Sequence, residues 1–368
     1  MMANDDRLRL LAFGNPMVDL IRHVSAQYVA NLGVAEGQET HLQLTTEQRH
    51  AILQDAAADT SVVRVPGGSA LNTARVVQAY LPPQTSMFIG AIGDDDGGAM
   101  LLSQCEAAGV DMRYVQTYPG LPTSTCLSLV TPTKERTLIT QRSAHLCFRL
   151  DAPALDACLR AAHILYVVAF TLTSAARFDC VMHLLTNKDP RRHVVCLNIS
   201  STGLLDNADV VSRLHTVLPH VQMLSGNRGE VLALGTALGI EAATLETVAA
   251  QLLRDFVRAP RAIVVVTNSA APTRVFTHSQ PPLEVPVAVP TDFTLYDTTG
   301  AGDAFLGGFF AGLLQKSSLQ TCVALGHYCA VQCVQRPGCQ LDLTPTEATR
   351  FCAGPAPDAL YDTFVQRV

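Results

Sequence analysis

The stretch Tyr296 to Gln315, YDTTGAGDAFLGGFFAGLLQ, holds the residues with the clearest chemical use. A polar turn (Asp297, Thr298, Thr299) leads into Gly300-Ala301-Gly302-Asp303, and an apolar helix follows. Glycines at a helix start let backbone amides turn inward, where unpaired N–H groups and the positive end of the helix dipole favour an anion. Asp303 falls in the first turn, placed to accept a proton from a hydroxyl. Amides for a phosphate beside a single carboxylate suit phosphoryl transfer to an alcohol. That chemistry needs charge stabilisation and a base more than a covalent nucleophile. On the residues alone, an Asp303 that only caps the helix, with glycines that only allow close packing, is also open. Two rival phosphate-binding patterns are excluded. A dinucleotide fingerprint needs Gly or Ala where Phe305 stands, and a Walker loop needs a Gly-Lys pair that Lys134, Lys188 and Lys316 do not form.

Further candidates stand at breaks between elements. Arg7 to Phe13 reads as a first strand ending in Gly14-Asn15-Pro16, with Asp19 just beyond. A carboxylate past the end of a first strand lies where open α/β sheets bind ligands, and a turn-forming Asp is the alternative. Pro66-Gly67-Gly68 breaks into a helix running to Tyr80, with Asn72 one turn inside; paired glycines there mark a hinge or a close ligand approach. Arg136 opens the returning strand of a hairpin over 125–130 and 136–141. Asn227 and Glu230 have the spacing of a helix N-cap and its capping-box partner. The run Asp94-Asp95-Asp96 reads as a solvated loop and helix cap rather than a metal site. Cys329, Cys333 and Cys339 with His327 lack a Cys-x-x-Cys pair and read as core rather than zinc ligands.

These residues need a scaffold. From Leu155 onward, strands at about 164–169, 193–198, 221–225 and 262–267 alternate with helices near 174–187, 206–218, 227–238 and 244–257. That rhythm predicts a parallel sheet covered on both faces. Residues 20–66 and 117–141 are β-rich interruptions, with a helix from about Thr46 to Ala58 capped by Thr45 and Gln48. The 368 residues are 48% hydrophobic and 16% charged, enough for a sizeable core. A net charge of −6 without any basic run argues against nucleic acid or an anionic membrane as partner. The segment Met1 to Leu11 carries Asp5, Asp6, Arg7 and Arg9 and is no signal peptide. The longest apolar run, Ala304 to Leu314, is too short to span a bilayer. Eleven cysteines without paired spacing suit buried thiols in a reducing, cytoplasmic setting.

DTTGAGDAFLGGF resembles the C-terminal signature of the PfkB carbohydrate kinase (ribokinase-like) family, and the resemblance covers nearly the whole chain. GGSALNTARVVQ is similar to the family's glycine-rich N-terminal signature, and IGDDDGG and Asn227-Arg228-Gly229-Glu230 match further segments. GNPMVD and LGHYCAVQCVQRPGC look most like its adenosine kinase branch. The resemblance implies a three-layer α/β/α fold with a central, mostly parallel sheet and a small β lid. The large domain would be residues 1–19, 67–116 and 142–368, and the lid residues 20–66 and 117–141. It implies ATP with Mg²⁺ as co-substrate and the 5′-hydroxyl of adenosine as acceptor, with a sugar such as ribose or another nucleoside as the alternative. A nucleoside-binding regulator without catalysis is opposed by the intact Asp303, glycines and Arg136.

The same resemblance distributes roles. Asn15, Asp19, Gly67, Gly68, Asn72 and Phe170 would form the acceptor site. Asp303 would be the base, Gly300 and the amides of Ala301 and Gly302 the anion hole, and Arg136 the group on the transferred phosphate. Asn227 and Glu230 would organise Mg²⁺ through its waters, with Thr267 near the ATP phosphates and His327 at the ATP base. A core role for His327 stays open. The adenine pocket departs from the family: Phe170 is followed by Thr171 where a second aromatic is expected, and Asn198-Ile199-Ser200 by Ser201-Thr202-Gly203 in place of Pro-Phe. Thr40 and His41 stand for an Ile-Leu pair, and Thr267-Asn268-Ser269 alters a Thr-x-Gly. Weaker or broader base selection is expected, in a monomer.

Overall fold

The computed structural model describes residues 8–36, 44–134, 136–241, 244–259, 261–278 and 281–341; Thr40 and His41 lie outside them. The strands of the main sheet are β1 (Leu10–Phe13), β4 (Ser86–Gly93), β5 (Asp111–Tyr118), β8 (Ile164–Val168), β9 (Val194–Asn198), β10 (Met223–Asn227), β11 (Ile263–Asn268), β12 (Ala271–Thr277) and β13 (Leu283–Val285). A second sheet takes the intervening β2 (Met17–His23), β3 (Val63–Gly67), β6 (Thr125–Val130) and β7 (Arg136–Gln141). The helices are α1 (Ala26–Asn31), α2 (Thr46–Ala58), α3 (Ser69–Tyr80), α4 (Asp96–Ala107), α5 (Ala152–Ala161), α6 (Ala175–Asn187), α7 (Ala208–Val217), α8 (Arg228–Ala237), α9 (Leu245–Gln251), α10 (Ala301–Leu314) and α11 (Leu319–Cys333). Among the described residues no helix is long and apolar enough to cross a membrane.

The main sheet runs β13-β12-β11-β10-β9-β8-β1-β4-β5. Its pairs from β11 through to β5 are parallel, and β12 and β13 add an antiparallel edge. Strand periodicity sends alternate residues to opposite faces. Leu10, Ala12, Phe88, Tyr166, Cys196 and Val265 pack with α3, α10 and α11 on one side. Leu11, Phe13, Ile89, Val167, Leu197 and Val264 pack with α5 to α9 on the other. Both faces are covered, so the strands read as near-continuous apolar runs. The expected three-layer architecture is present.

The second sheet has the order β3-β2-β6-β7. The hairpin strands fall where the sequence predicts them. So does α2, whose Thr45 hydroxyl accepts the Gln48 N–H (3.2 Å) while the Gln48 side chain accepts the Thr45 N–H (2.8 Å). β2 starts at Met17, so Asp19 belongs to the smaller sheet, in register with Val65 and Cys126. The sequence placed it just past the first strand, at the end of the large domain's residues 1–19, with a turn-forming Asp as the alternative. Strands β5, β12 and β13 were not anticipated; all three lie at the sheet's margins. Asp95, from the acidic run, caps α4 by accepting the Gly98 N–H (2.9 Å) and also takes the Thr123 N–H (2.7 Å). It is a structural cap, as read.

Candidate active site

Helix α10 begins where Gly300 adopts a left-handed φ of 77°. A Cβ at Gly300 would come within 2.6 Å of the Cys339 Cβ, so only glycine fits this turn. The Ala301 N–H reaches back 3.3 Å to the Thr298 carbonyl, whereas Gly302 is exposed with open space beside it. Open space at a helix N-terminus is where an anion can approach the amides.

Asp303, in the first turn, is held by α3. Ser69 Oγ donates to its Oδ1 at 2.5 Å and Asn72 Nδ2 to its Oδ2 at 3.0 Å, while Thr73 Oγ1 bonds its backbone carbonyl at 3.1 Å. Ser69, Asn72 and Thr73 share one helix face because positions three and four apart are neighbours. That polar stripe on a buried helix is a signal the sequence reading did not use beyond Asn72.

The turn from β3 into α3 presses on the chain after β1. Gly68, at φ 94°, has the Asn15 carbonyl oxygen 1.9 Å from where a Cβ would stand. A Cβ on Gly67 would meet the Asp19 carboxylate at 2.0–2.2 Å. Both glycines therefore serve close backbone approach, and they fix Asn15 and Asp19 beside α3. Arg75, which the sequence reading missed, bonds the Pro66 carbonyl (3.0 Å) and the Cys339 carbonyl (3.4 Å). It ties this turn to the segment that follows α11.

Charges tell how the groups lie. Burial raises the Asp303 carboxyl to about 6, opposed by the Ser69 and Asn72 bonds and by the Arg136 charge. Asp19 is pushed up to about 7, first by burial and then by Asp303, with Arg75 and Arg136 pulling down. Glu230 is raised to about 7 by burial, with Asp303 adding to it. Arg136 thus acts on both Asp19 and Asp303, and Asp303 acts on both Asp19 and Glu230. The Glu230 carboxylate accepts the Asn227 N–H (3.0 Å) and the Asn227 side chain accepts the Glu230 N–H (2.9 Å). This is the expected capping box. Thr267 is the register partner of Asn227 across β10 and β11.

Phe170, Thr171 and His327 lie elsewhere in the fold, whereas the Asp297 charge acts on Asp19. Phe170 lies in the turn after β8, packed against both faces of the core. Thr171 behind it is buried, its hydroxyl on the Val168 carbonyl at 2.8 Å. His327 is buried between α11 and β12, its Nε2 2.8 Å from Thr273 Oγ1 and its ring 5.5 Å from that of Phe305. Those are the surroundings of a core histidine. Asp297 is fully buried; its Oδ1 accepts from Thr299 N (2.9 Å) and Oγ1 (2.8 Å), while Oδ2 has no hydrogen-bond partner among the described residues. No group of three or more His, Cys, Asp or Glu side chains among the described residues is arranged to hold a metal by itself.

A family model described as "pfkB family carbohydrate kinase" matches residues 28–347. The adenosine kinase of Schizosaccharomyces pombe is 27% identical over 340 residues, covering 91% of this chain and 96% of the relative. Among solved structures, apo adenosine kinase of Trypanosoma brucei brucei aligns with a TM-score of 0.79 at 27% identity, over 90% of this chain and 100% of that one. The adenosine kinase of Anopheles gambiae, in complex with P1,P4-di(adenosine-5) tetraphosphate, aligns at 0.77 and 26% identity, over 90% and 96%.

Proposed function

The chain belongs to the pfkB family of carbohydrate kinases, and we propose that it transfers the terminal phosphoryl group of ATP to the 5′-hydroxyl of adenosine or a closely related nucleoside. The observation that carries this is Asp303. It stands at the N-terminus of α10 with both oxygens fixed by Ser69 and Asn72, within electrostatic reach of Asp19 and Arg136. A carboxylate raised to about 6 is ionised at neutral pH yet basic enough to take a hydroxyl proton. Asp19 and Asn15 hold the ribose side, with Gly67, Gly68 and Asn72 shaping it, and Phe170 offers one aromatic face to the base. The Gly302 amide and its neighbours at the helix start receive the phosphate, with Arg136 reaching in from β7 to neutralise it.

The second sheet, β3-β2-β6-β7, acts as a lid over the acceptor. His23 Nε2 lies 2.8 Å from Tyr296 Oη, linking that sheet to the approach to α10. Adenosine kinases are the relatives over nine-tenths of the chain, and one binds a compound with two adenosines joined through phosphates. Mutually repelling carboxylates and the unpartnered Asp297 Oδ2 fit a divalent cation that arrives with the nucleotide and keeps most of its water. Glu230, steadied by Asn227, would hold that water shell. Mg²⁺ so bound supplies positive charge to the phosphates. All these groups come from one chain, so a monomer suffices.

Thr171 favours a second acceptor class. Its side chain is turned onto its own backbone, leaving a single aromatic for a base, which would suit a sugar such as ribose. ADP release with MgATP, measured over adenosine, other nucleosides and free pentoses, separates the two. Turnover with nucleosides is expected; release with free sugars alone would overturn the nucleoside assignment.

A further inference from the structure

One face of β2 carries three side chains with different tasks. Alternate residues of a strand share a face, so Asp19, Ile21 and His23 point one way and Leu20 and Arg22 the other. Leu20 packs with Leu53 and Ala56 of α2, and Arg22 pairs with Asp55 at 2.7 Å. On the opposite face, Asp19 lies against Gly67 at the site. Ile21 joins Val65 and Val130 in a small apolar cluster. A Cβ on Gly338, which adopts φ 65°, would lie 3.0 Å from both Ile21 Cδ1 and Val65 Cγ2, so glycine there admits close approach. His23 ends the row. Besides the 2.8 Å contact of its Nε2 with Tyr296 Oη, the two rings meet edge to face, centroids 5.0 Å apart at 86°. Another part of the small sheet reaches the same side chain: Lys134, in the turn between β6 and β7, holds its Nζ 5.9 Å from the Tyr296 ring centroid, within cation–π range.

Tyr296 is fixed from behind. Its N–H and that of Asp297 both donate to the Val334 carbonyl, at 2.8 and 3.2 Å, and Cys333 Sγ reaches the Thr299 carbonyl at 3.4 Å. The stretch before α10 and the segment after α11 therefore form one platform, which carries Gly300 to Gly302. The small sheet rests on this platform at two places, Ile21 on Gly338 and His23 with Lys134 on Tyr296. His23 is exposed and Tyr296 half-buried, so water can replace their hydrogen bond. Such contacts make and break at low cost, unlike a fused apolar core. The bond forms in either tautomer: Nε2–H donates to Oη, or a bare Nε2 accepts from the hydroxyl. Resting on the nucleoside kinase reading above, in which the small sheet closes over the acceptor, we propose that Tyr296 is the catch of a lid latch gripped by His23 and Lys134. The three are positioning residues that hold the lid down beside the amides of α10. A latch that favours the closed state reduces the cost of closure that acceptor binding must meet, so its loss appears as weaker acceptor binding.

A double-mutant cycle tests the latch. Tyr296→Phe keeps the ring and removes the hydroxyl, while His23→Leu removes the other partner. With MgATP and the nucleoside turned over best, each should raise the acceptor KM about three- to tenfold, the worth of one hydrogen bond. The ATP KM should change by less than about twofold, and the double variant should be no worse than either single one, because both remove the same bond. His23→Gln, which can still reach the hydroxyl, should recover part of the loss, and Tyr296→Ala, which also releases Lys134, should cost more. A second readout needs no turnover. In the ligand-free protein, His23→Leu should speed hydrogen exchange at the Tyr296 and Asp297 amides by at least about threefold, since an opened lid uncovers their bonds to Val334. Additive losses in the cycle, an acceptor KM unchanged in both single variants, or exchange unchanged in His23→Leu would each overturn the latch and leave Tyr296 a packing residue before α10. If wild type turned over no nucleoside, the kinase reading would fail, and the exchange rates alone would decide whether the small sheet is latched.

Discussion

At the scale of single residues, Asp303 carries the most weight. Both carboxylate oxygens already accept a bond, from Ser69 at 2.5 Å and Asn72 at 3.0 Å, so its orientation is fixed before substrate arrives. Asn keeps that geometry. Its amide can donate to Ser69 Oγ while its oxygen still accepts from Asn72, so the site loses a base without gaining an unpaired group. Loss of a general base costs about 10²–10⁴ in rate, whereas a change at a helix start costs about 1 kcal/mol. Asp303→Asn should therefore fold and keep its nucleoside-induced rise in melting temperature, with kcat lower by at least about a hundredfold. Near-normal turnover would remove Asp303 from the chemistry, and failure to fold would make it a cap.

At the scale of elements, the turn between β3 and α3 does the positioning. Gly67 leaves room for the Asp19 carboxylate where a Cβ would lie 2.0 Å from its carbon. Gly67→Ala must push Asp19 aside, and displacement of a positioning group by about 1 Å costs on the order of a hundredfold. The acceptor KM should rise at least about tenfold while that for ATP changes by less than about twofold; equal rises in both would mean that the turn supports the whole site. Much of this element level was legible in the sequence. The capping boxes at Thr45 and Asn227, the hairpin over 125–141 and the alternation after Leu155 are all set by local spacing. Strands β12 and β13 were not legible, because polar residues, as in APTRVFT, blur the apolar signal, and β13, at the sheet's edge, is only three residues long. Nor was the strand position of Asp19, which depends on pairing with Val65 and Cys126 far along the chain. Arg177 reaches Asn15 across 162 residues, and nothing local to ARFD marks it.

At the scale of the whole molecule, two sheets meet over carboxylates that neither would bury alone, and this makes stability depend on pH. Asp19 and Glu230 are raised to about 7 and Asp303 to about 6, in each case mainly by burial, against ordinary values of 3.8, 4.5 and 3.8. The folded chain therefore binds protons more tightly than the unfolded one. The resulting stabilisation is full below about pH 4 and is lost as pH rises through 6 to 7. Histidines act the other way: burial depresses His145 to about 3 and His163 to about 4, so their share is lost as pH falls below 6.5. His193, His220 and His327 are lowered too, mainly by burial, so between pH 8.5 and 6.5 the two sets oppose each other and the share of one group is read by removing it. Raised to about 7, Glu230 alone should lift the melting temperature by about 1 °C between pH 8.5 and 6.5 relative to a protein that lacks its ionisation. Glu230→Gln keeps the capping box with Asn227 but cannot titrate, so it should melt higher than wild type at pH 8.5 and gain less, or lose more, on acidification. Melting curves of both proteins across this range decide the matter. A change of the same size in Glu230→Gln would show that Glu230 is not among the groups whose ionisation the fold resists.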